Sequence, residues 1–213
     1  PSGPFDNLDD AFVAEIYSRD WSNAQGMAWL PDGRLIRTDG FGAHFILHSA
    51  TADTTFHGAS TLHSATLLGV AGYASGGFGT TQGTDGFLYS QSSSGLQKIN
   101  LGTFAATTVA GTAAGTYGMR TLSNGKIVYA SNVTGQIRLY DPSNGSDVAI
   151  YNTGASNRGI AVSPDGYIFV AAWGVGLPGA CRTDVITEAG ALIASSATSH
   201  CAAGLAFVEG KAY

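Results

Sequence analysis

Charge is scarce in this chain. Asp, Glu, Lys and Arg make up 12% of it, against roughly 25% in an average soluble protein. The formal net charge is −5, which leaves no basic face to neutralise phosphates, so nucleic acid is not expected as a partner. Long apolar runs are missing too: no segment approaches the roughly 18 residues that cross a bilayer as a helix, and membrane insertion is not expected. There are two cysteines, Cys181 and Cys201, and no C-x-x-C pair, which argues against a dithiol redox catalyst. A G-x-S-x-G elbow is also absent, so a serine hydrolase of that kind has no support.

What is abundant is glycine, at 30 residues, with Ser, Thr and Ala filling much of the remainder. Gly costs about 1 kcal/mol in a helix interior, and Ser and Thr draw backbone hydrogen bonds away from it. The composition favours short strands joined by tight turns, and residues 1–213 are expected to form one all-β domain. Cys181 and Cys201 stand 20 residues apart and read either as two buried thiols or as a disulfide. The sparse charge and the Ser/Thr content favour the disulfide in an oxidising compartment, where closing a loop of that length is worth about 3 kcal/mol.

Five segments repeat one pattern: Gly, small or apolar residues, a turn ending in Gly, then an alternating apolar run. They are GMAWLPDGRLIRTD from Gly26, GTTQGTDGFLYSQ from Gly79, GMRTLSNGKIVYAS from Gly118, GIAVSPDGYIFVAA from Gly159 and GLAFVEGKAY from Gly204. Their turn glycines, Gly33, Gly86, Gly125, Gly166 and Gly210, are spaced by 53, 39, 41 and 44 residues. Such spacing matches a four-stranded β-propeller blade of about 40 to 50 residues. The Asx-Gly pairs predict a two-residue hairpin turn opening each unit. Third strands are expected at 95–100 and 135–140, and outer strands at 104–109 and 147–151. Residues 11–18 read as an outer strand that closes the ring, and the last repeat breaks off at Tyr213. The expected fold is thus an all-β propeller of four-stranded blades, with four full repeats plus a split or incomplete fifth. The ring closes at that size or belongs to a propeller of six or more blades.

The segments SNRGIAVSPDGYIFVAAW (156–173) and NAQGMAWLPDGRLIRTD (23–39) resemble the repeats of NHL and SMP-30/gluconolactonase-like propellers. The resemblance implies a divalent cation, usually calcium, held in the central channel by Asn, Asp or Glu placed just before each repeat's first Gly. Here those positions hold Gln25, Phe78, Tyr117, Arg158 and Ala203. Only Gln25 offers an oxygen ligand and Arg158 repels a cation, whereas calcium takes six to eight hard oxygens. The implied lactonase chemistry therefore lacks its ligands.

Other residues carry weaker signals. His44 and His48, four apart on one strand face, are candidate zinc or copper ligands, or else surface histidines of a longer blade insertion. The recurring turn residues Asp32, Asp85, Asn124 and Asp165 read as turn formers rather than as catalytic carboxylates. Trp29 reads as blade-to-blade packing. Trp173, beside the Gly-rich stretch 174–176, is a candidate for stacking on a flat or sugar ligand. Asn132 and Asn144 open glycosylation sequons, the second in a turn expected to be exposed.

No catalytic residue is identified. Gln25, Phe78, Tyr117, Arg158 and Trp173, at channel or rim positions, are the candidate ligand-binding set. No cofactor is expected, with calcium or zinc left open. The reading is a secreted, cell-surface or periplasmic binding or scaffold propeller. Its expected partners are a protein, or its own copies, at a blade edge or face, or else a glycan. A metal-dependent propeller hydrolase or lactonase and a carbohydrate-binding propeller are the alternatives.

Overall fold

A computed structural model of the chain describes residues 24–39, 44–49, 54–56, 60–62, 65–73, 79–114, 117–131, 134–174, 181–198, 205, 207–208 and 211–212. Among them every regular element is a strand, and no helix is long and apolar enough to cross a membrane. The candidate ring-closing strand 11–18 lies outside the described residues.

The repeats fold as four antiparallel four-stranded sheets arranged as the blades of a β-propeller. Blade 1 contains β1 (Ala24–Trp29), β2 (Leu35–Asp39), β3 (His44–His48) and β6 (Ala65–Gly69), with a small hairpin of β4 (Thr54–Phe56) and β5 (Ser60–Leu62) inserted before β6. That hairpin accounts for the long first spacing. Blade 2 contains β7 (Thr80–Gln82), β8 (Phe87–Ser92), β9 (Gly95–Asn100) and β10 (Ala106–Thr108). Blade 3 contains β11 (Met119–Thr121), β12 (Ile127–Ser131), β13 (Gln136–Asp141) and β14 (Ser146–Asn152). Blade 4 contains β15 (Ser156–Val162), β16 (Ile168–Trp173), β17 (Cys181–Ile186) and β18 (Leu192–Thr198). The fifth repeat contributes a hairpin of β19 (Phe207–Val208) and β20 (Lys211–Ala212).

The inner strands pack side by side in order, β1 against β7, β7 against β11 and β11 against β15. A lone four-stranded sheet cannot bury both of its faces, so the core lies between blades. Ile36 and Phe45 of blade 1 meet Leu88 and Ile99 of blade 2. Tyr89 and Leu96 of blade 2 meet Ile127, Tyr129 and Tyr140 of blade 3. Val128, Ile137 and Leu139 of blade 3 meet Ile160, Ile168 and Val170 of blade 4. Fully burying one such side chain contributes about 1.5–3 kcal/mol. Strand β12, squeezed from both sides, is buried along its whole length. Trp29 departs from the expected packing role: it is 58% exposed, like Met27 at 61%. On a period-2 strand these two share a face, and it is Ala28, on the other face, that packs into the blade 1–2 core.

The fifth repeat's register, with Val208 opposite Lys211, leaves two residues between its strands as expected, but the opening turns of blades 1 to 4 differ. In each, two hydrogen bonds enclose a three-residue loop: Gly33 N donates to Leu30 O and Leu30 N to Arg34 O, with the same pairs at Gly83–Phe87, Leu122–Lys126 and Ser163–Tyr167. Only the last loop residue is left-handed, with φ of 82° at Gly33, 82° at Gly86, 84° at Gly125 and 84° at Gly166. A two-residue type I′ turn needs positive φ at both positions. Pro31 and Pro164, locked near −65°, cannot begin one and instead pre-set a type I turn closed by Gly. The Asx residue serves the turn, as expected: Asp32 Oδ1 accepts from Arg34 N (3.1 Å), Asp85 Oδ1 from Phe87 N (3.3 Å) and Asn124 Oδ1 from Lys126 N (3.1 Å). The outer strand expected at 104–109 is shorter, because Phe104 adopts φ 51° in the turn that precedes β10.

These turn carboxylates make stability depend on pH. The Arg34 side chain holds Asp32 below its ordinary value. Burial pushes Asp85 up, but bonds from Lys98 and Tyr89 outweigh it and hold it down. The Lys126 ammonium holds Glu188 down, tying blade 3 to blade 4 across 2.8 Å. With folded values depressed, the unfolded chain binds protons first as pH falls. The stabilisation is complete above the ordinary values of 3.8 for Asp and 4.5 for Glu and is lost as pH drops through the lower folded ones. Melting followed by circular dichroism is expected to hold level above about pH 5.5 and to fall steadily from about pH 4.5 downward. A melting temperature unchanged down to about pH 2.5 would contradict the assignment.

Candidate functional site

The inner strands run side by side around the channel, and Gln25, Tyr117 and Arg158, each just before its repeat's first Gly, lie at or near the start of theirs. In two blades that residue sits in a β-bulge: the register slips between Ala24 and Gly26 in β1 and between Asn157 and Ile160 in β15. A bulge bends the strand and re-aims the side chain it carries. In β15 that side chain is Arg158.

Arg158 is where three of the sequence candidates meet. Its guanidinium carbon lies 3.9 Å from the centre of the Tyr117 ring and 4.7 Å from that of Trp173. Tyr117 immediately precedes the repeat glycine of blade 3, whereas Arg158 and Trp173 belong to the paired strands β15 and β16 of blade 4, so the cluster spans the seam between two blades. The register pairs Trp173 with Ser156 on one side and Cys181 on the other, placing it at the same end as Arg158. A guanidinium over an aromatic face is held by about 0.5–2 kcal/mol, more when water is excluded. Arg158 Nε is buried and has no hydrogen-bond partner among the described residues, and none of the ion pairs among those residues involves it.

A second cation, which the sequence reading passed over, belongs to the inner strand of blade 3. Arg120 lies three residues beyond Tyr117 on β11 and donates to Met119 O at 2.7 Å and Leu205 O at 3.4 Å. The residue as a whole is exposed, and partial loss of water around the guanidinium lowers its value from the ordinary one. Its position two past Gly118, on an inner strand of alternating faces, was the available signal. The neighbouring Asn157 is fully buried and accepts from Thr153 Oγ1 at 2.6 Å, a structural role.

Asp32, Asp85, Asp141 and Glu188 belong to turns at the opposite end of the blades. Two open clefts run between those turns, one of about 300 Å³ between blades 3 and 4 with Leu122, Val162, Pro164 and Glu188 on its walls, the other of about 240 Å³ beside Asp85, Asn124 and Asp141. No group of three or more His, Cys, Asp or Glu converges among the described residues. His44 and His48 form the two ends of β3, paired with Gly69 and Ala65, which at about 3.3 Å per residue puts their Cα atoms about 13 Å apart. Gln25 lies in the β1 bulge, while Phe78 and Ala203 fall outside the described residues. Cys181 is buried at 4% exposure, and no free cysteine occurs among the described residues; Cys201 lies outside them. Asn144 is exposed in the turn between β13 and β14, as expected of the second sequon, and Asn132 lies outside the described residues.

No protein-family model matches the chain, and no curated protein matches it. Solved structures do. A hydrazine synthase from Kuenenia stuttgartiensis superposes with a TM-score of 0.62 at 15% identity, over 90% of this chain and 53% of that one. Virginiamycin B lyase from Staphylococcus aureus gives 0.64 at 14%, over 86% and 59%. The PQQ-bound aldose sugar dehydrogenase from Streptomyces coelicolor gives 0.64 at 16%, over 94% and 76%. The likeness is one of fold. The chain is a β-propeller. It spans less than two thirds of the length of the first two of these proteins, and the three carry different activities at identities this low.

Proposed function

We propose that this propeller is an extracytoplasmic, noncatalytic binding module whose ligand docks at the channel mouth where Tyr117, Arg158 and Trp173 meet. The observation that carries the reading is the Arg158 guanidinium, seated over both rings with a buried donor left open. The same cation speaks against the calcium-dependent chemistry of the SMP-30/gluconolactonase-like propellers, whose repeat this chain resembles. A fixed positive charge where the metal would sit raises the energy of a divalent ion, steeply so away from bulk water. Within this reading Cys181 pairs with Cys201, bracing the strand that runs beside Trp173 against the loss of conformational order on unfolding.

One purified sample tests the proposal. Elemental analysis is expected to show no stoichiometric calcium or zinc, lactone and ester substrates are expected to remain intact, and alkylation without reductant is expected to add no mass. A tight divalent ion accompanied by turnover would replace the binding reading with the hydrolase one.

A further inference from the structure

The mouth reading leaves the chemistry of the ligand open, and the geometry around Arg158 narrows it. A guanidinium carries its five donors in its own plane. The Tyr117 and Trp173 rings stand beside its carbon, with centres 3.9 and 4.7 Å away, so hydrocarbon crowds the group while its donors point outward along its edge. Nε, one of the donors on that edge, is buried without a partner among the described residues. A buried donor left unmade costs about 1–3 kcal/mol, so an acceptor that reaches it gains more than one meeting an open surface group. Among the described residues no ion pair involves Arg158, and Arg120 adds a second cation on the inner strand of blade 3.

Resting on the channel-mouth reading, we infer that the ligand carries a carboxylate, bound fork-to-fork along the edge of Arg158. Two parallel N–H···O bonds hold a carboxylate in the plane of the guanidinium. A tetrahedral phosphate or sulfate can take the same two bonds but must fit its remaining oxygens beside two rings whose centres stand 3.9 and 4.7 Å from the Arg158 carbon. A neutral amide of the same shape presents one acceptor and one donor, and its donor faces Arg donors. The site therefore selects a planar anion over both a bulkier anion and an uncharged isostere.

Titration calorimetry on the wild-type chain at low salt tests this with three kinds of probe: benzoate and glucuronate as carboxylates, benzamide and glucose as their uncharged counterparts, and inorganic phosphate and sulfate as tetrahedral anions. At least one carboxylate is expected to bind at least about tenfold tighter than its uncharged counterpart and than either tetrahedral anion, with affinity falling as salt is added. Benzoate alone would mark a simple organic acid as the source and glucuronate alone an acidic sugar. Arg158→Lys keeps the charge and loses the fork, and at least about a tenfold loss is expected with the melting temperature preserved. The inference is overturned if neither carboxylate binds, if the uncharged or tetrahedral probes bind equally well, or if a folded Arg158→Lys chain binds as the wild type does. Equal binding of uncharged probes removes the carboxylate and keeps the binding module, whereas a resident metal with turnover removes the module itself.

Discussion

Replacing Asp184 by Ala is expected to lower the free energy of unfolding by about 3 kcal/mol. Asp184 is fully buried on β17, yet four hydrogen bonds reach its two oxygens. Arg182 Nε donates to both at 2.9 Å, Ser195 Oγ to Oδ1 at 2.7 Å and Tyr151 OH to Oδ2 at 3.1 Å. Tyr151 comes from β14, so the carboxylate ties blade 3 to blade 4. Arg182 Nη2 makes the same crossing to Thr153 O at 2.8 Å. Removing one partner of a buried pair strands the other, at about 3–5 kcal/mol. The low end applies because the Arg182 side chain keeps 25% of its surface in water. Urea denaturation reads the loss directly. The double variant Asp184→Ala with Arg182→Ala is expected to lose less than the sum of the single ones, since the second removes the charge that the first exposed. A loss below about 1 kcal/mol for Asp184→Ala would mean that the network is no tie.

The second large effect is expected from a single methyl group. A Cβ on Gly118 would stand 2.6 Å from Ile160 N, 2.9 Å from Gly159 C and 2.9 Å from Ile160 Cγ1. Two of these are backbone atoms of the next blade's inner strand, which cannot rotate away. Gly79 stands in the same relation to Tyr117 O, at 2.8 Å. The first Gly of the repeat is thus set by the closeness of neighbouring strands around the channel, and its own backbone torsion needs no special freedom. Gly118→Ala is expected to destabilise by about 2–3 kcal/mol and, by shifting β15, to loosen the contact of Arg158 with Tyr117. Gly69→Ala, with nothing within 4 Å of its Cβ, is expected to leave the melting temperature unchanged. Equal melting temperatures for the two variants would mean that the blades are free to move apart.

Much of this architecture was legible before any coordinates. The turn glycines Gly33, Gly86, Gly125 and Gly166 each fall at the end of a hairpin loop, and strands β9 and β13 lie within one residue of their expected bounds. These features are local: an Asx-Gly pair or a period-2 run acts on its own few neighbours. The turn length was misread because two- and three-residue loops share the same Asx-Gly ending: Pro31 and Pro164 mark the longer loop in blades 1 and 4, whereas Thr84 and Ser123 hold the same place in blades 2 and 3 without marking it. The site was half legible. Tyr117, Arg158 and Trp173 stood in one candidate set with Gln25 and Phe78, two of the three by their place before Gly and one by its aromatic ring beside glycines, but nothing placed the guanidinium over either ring.

By itself, then, the sequence determined the blade: its period, the place of its turns and its inner strand, because each depends on neighbours a few residues away or on a register repeated about every 40 residues. Only the tertiary structure decided how blades meet. It placed the Arg158 guanidinium over Tyr117 from another blade, tied Tyr151 to Asp184, and brought Ile160 against Gly118. Those contacts join segments about 30 to 40 residues apart through the stacking of blades, which follows from sheet twist and side-chain volume summed over whole faces. No short pattern encodes that sum, so the chemistry of the mouth becomes visible only once the blades are stacked.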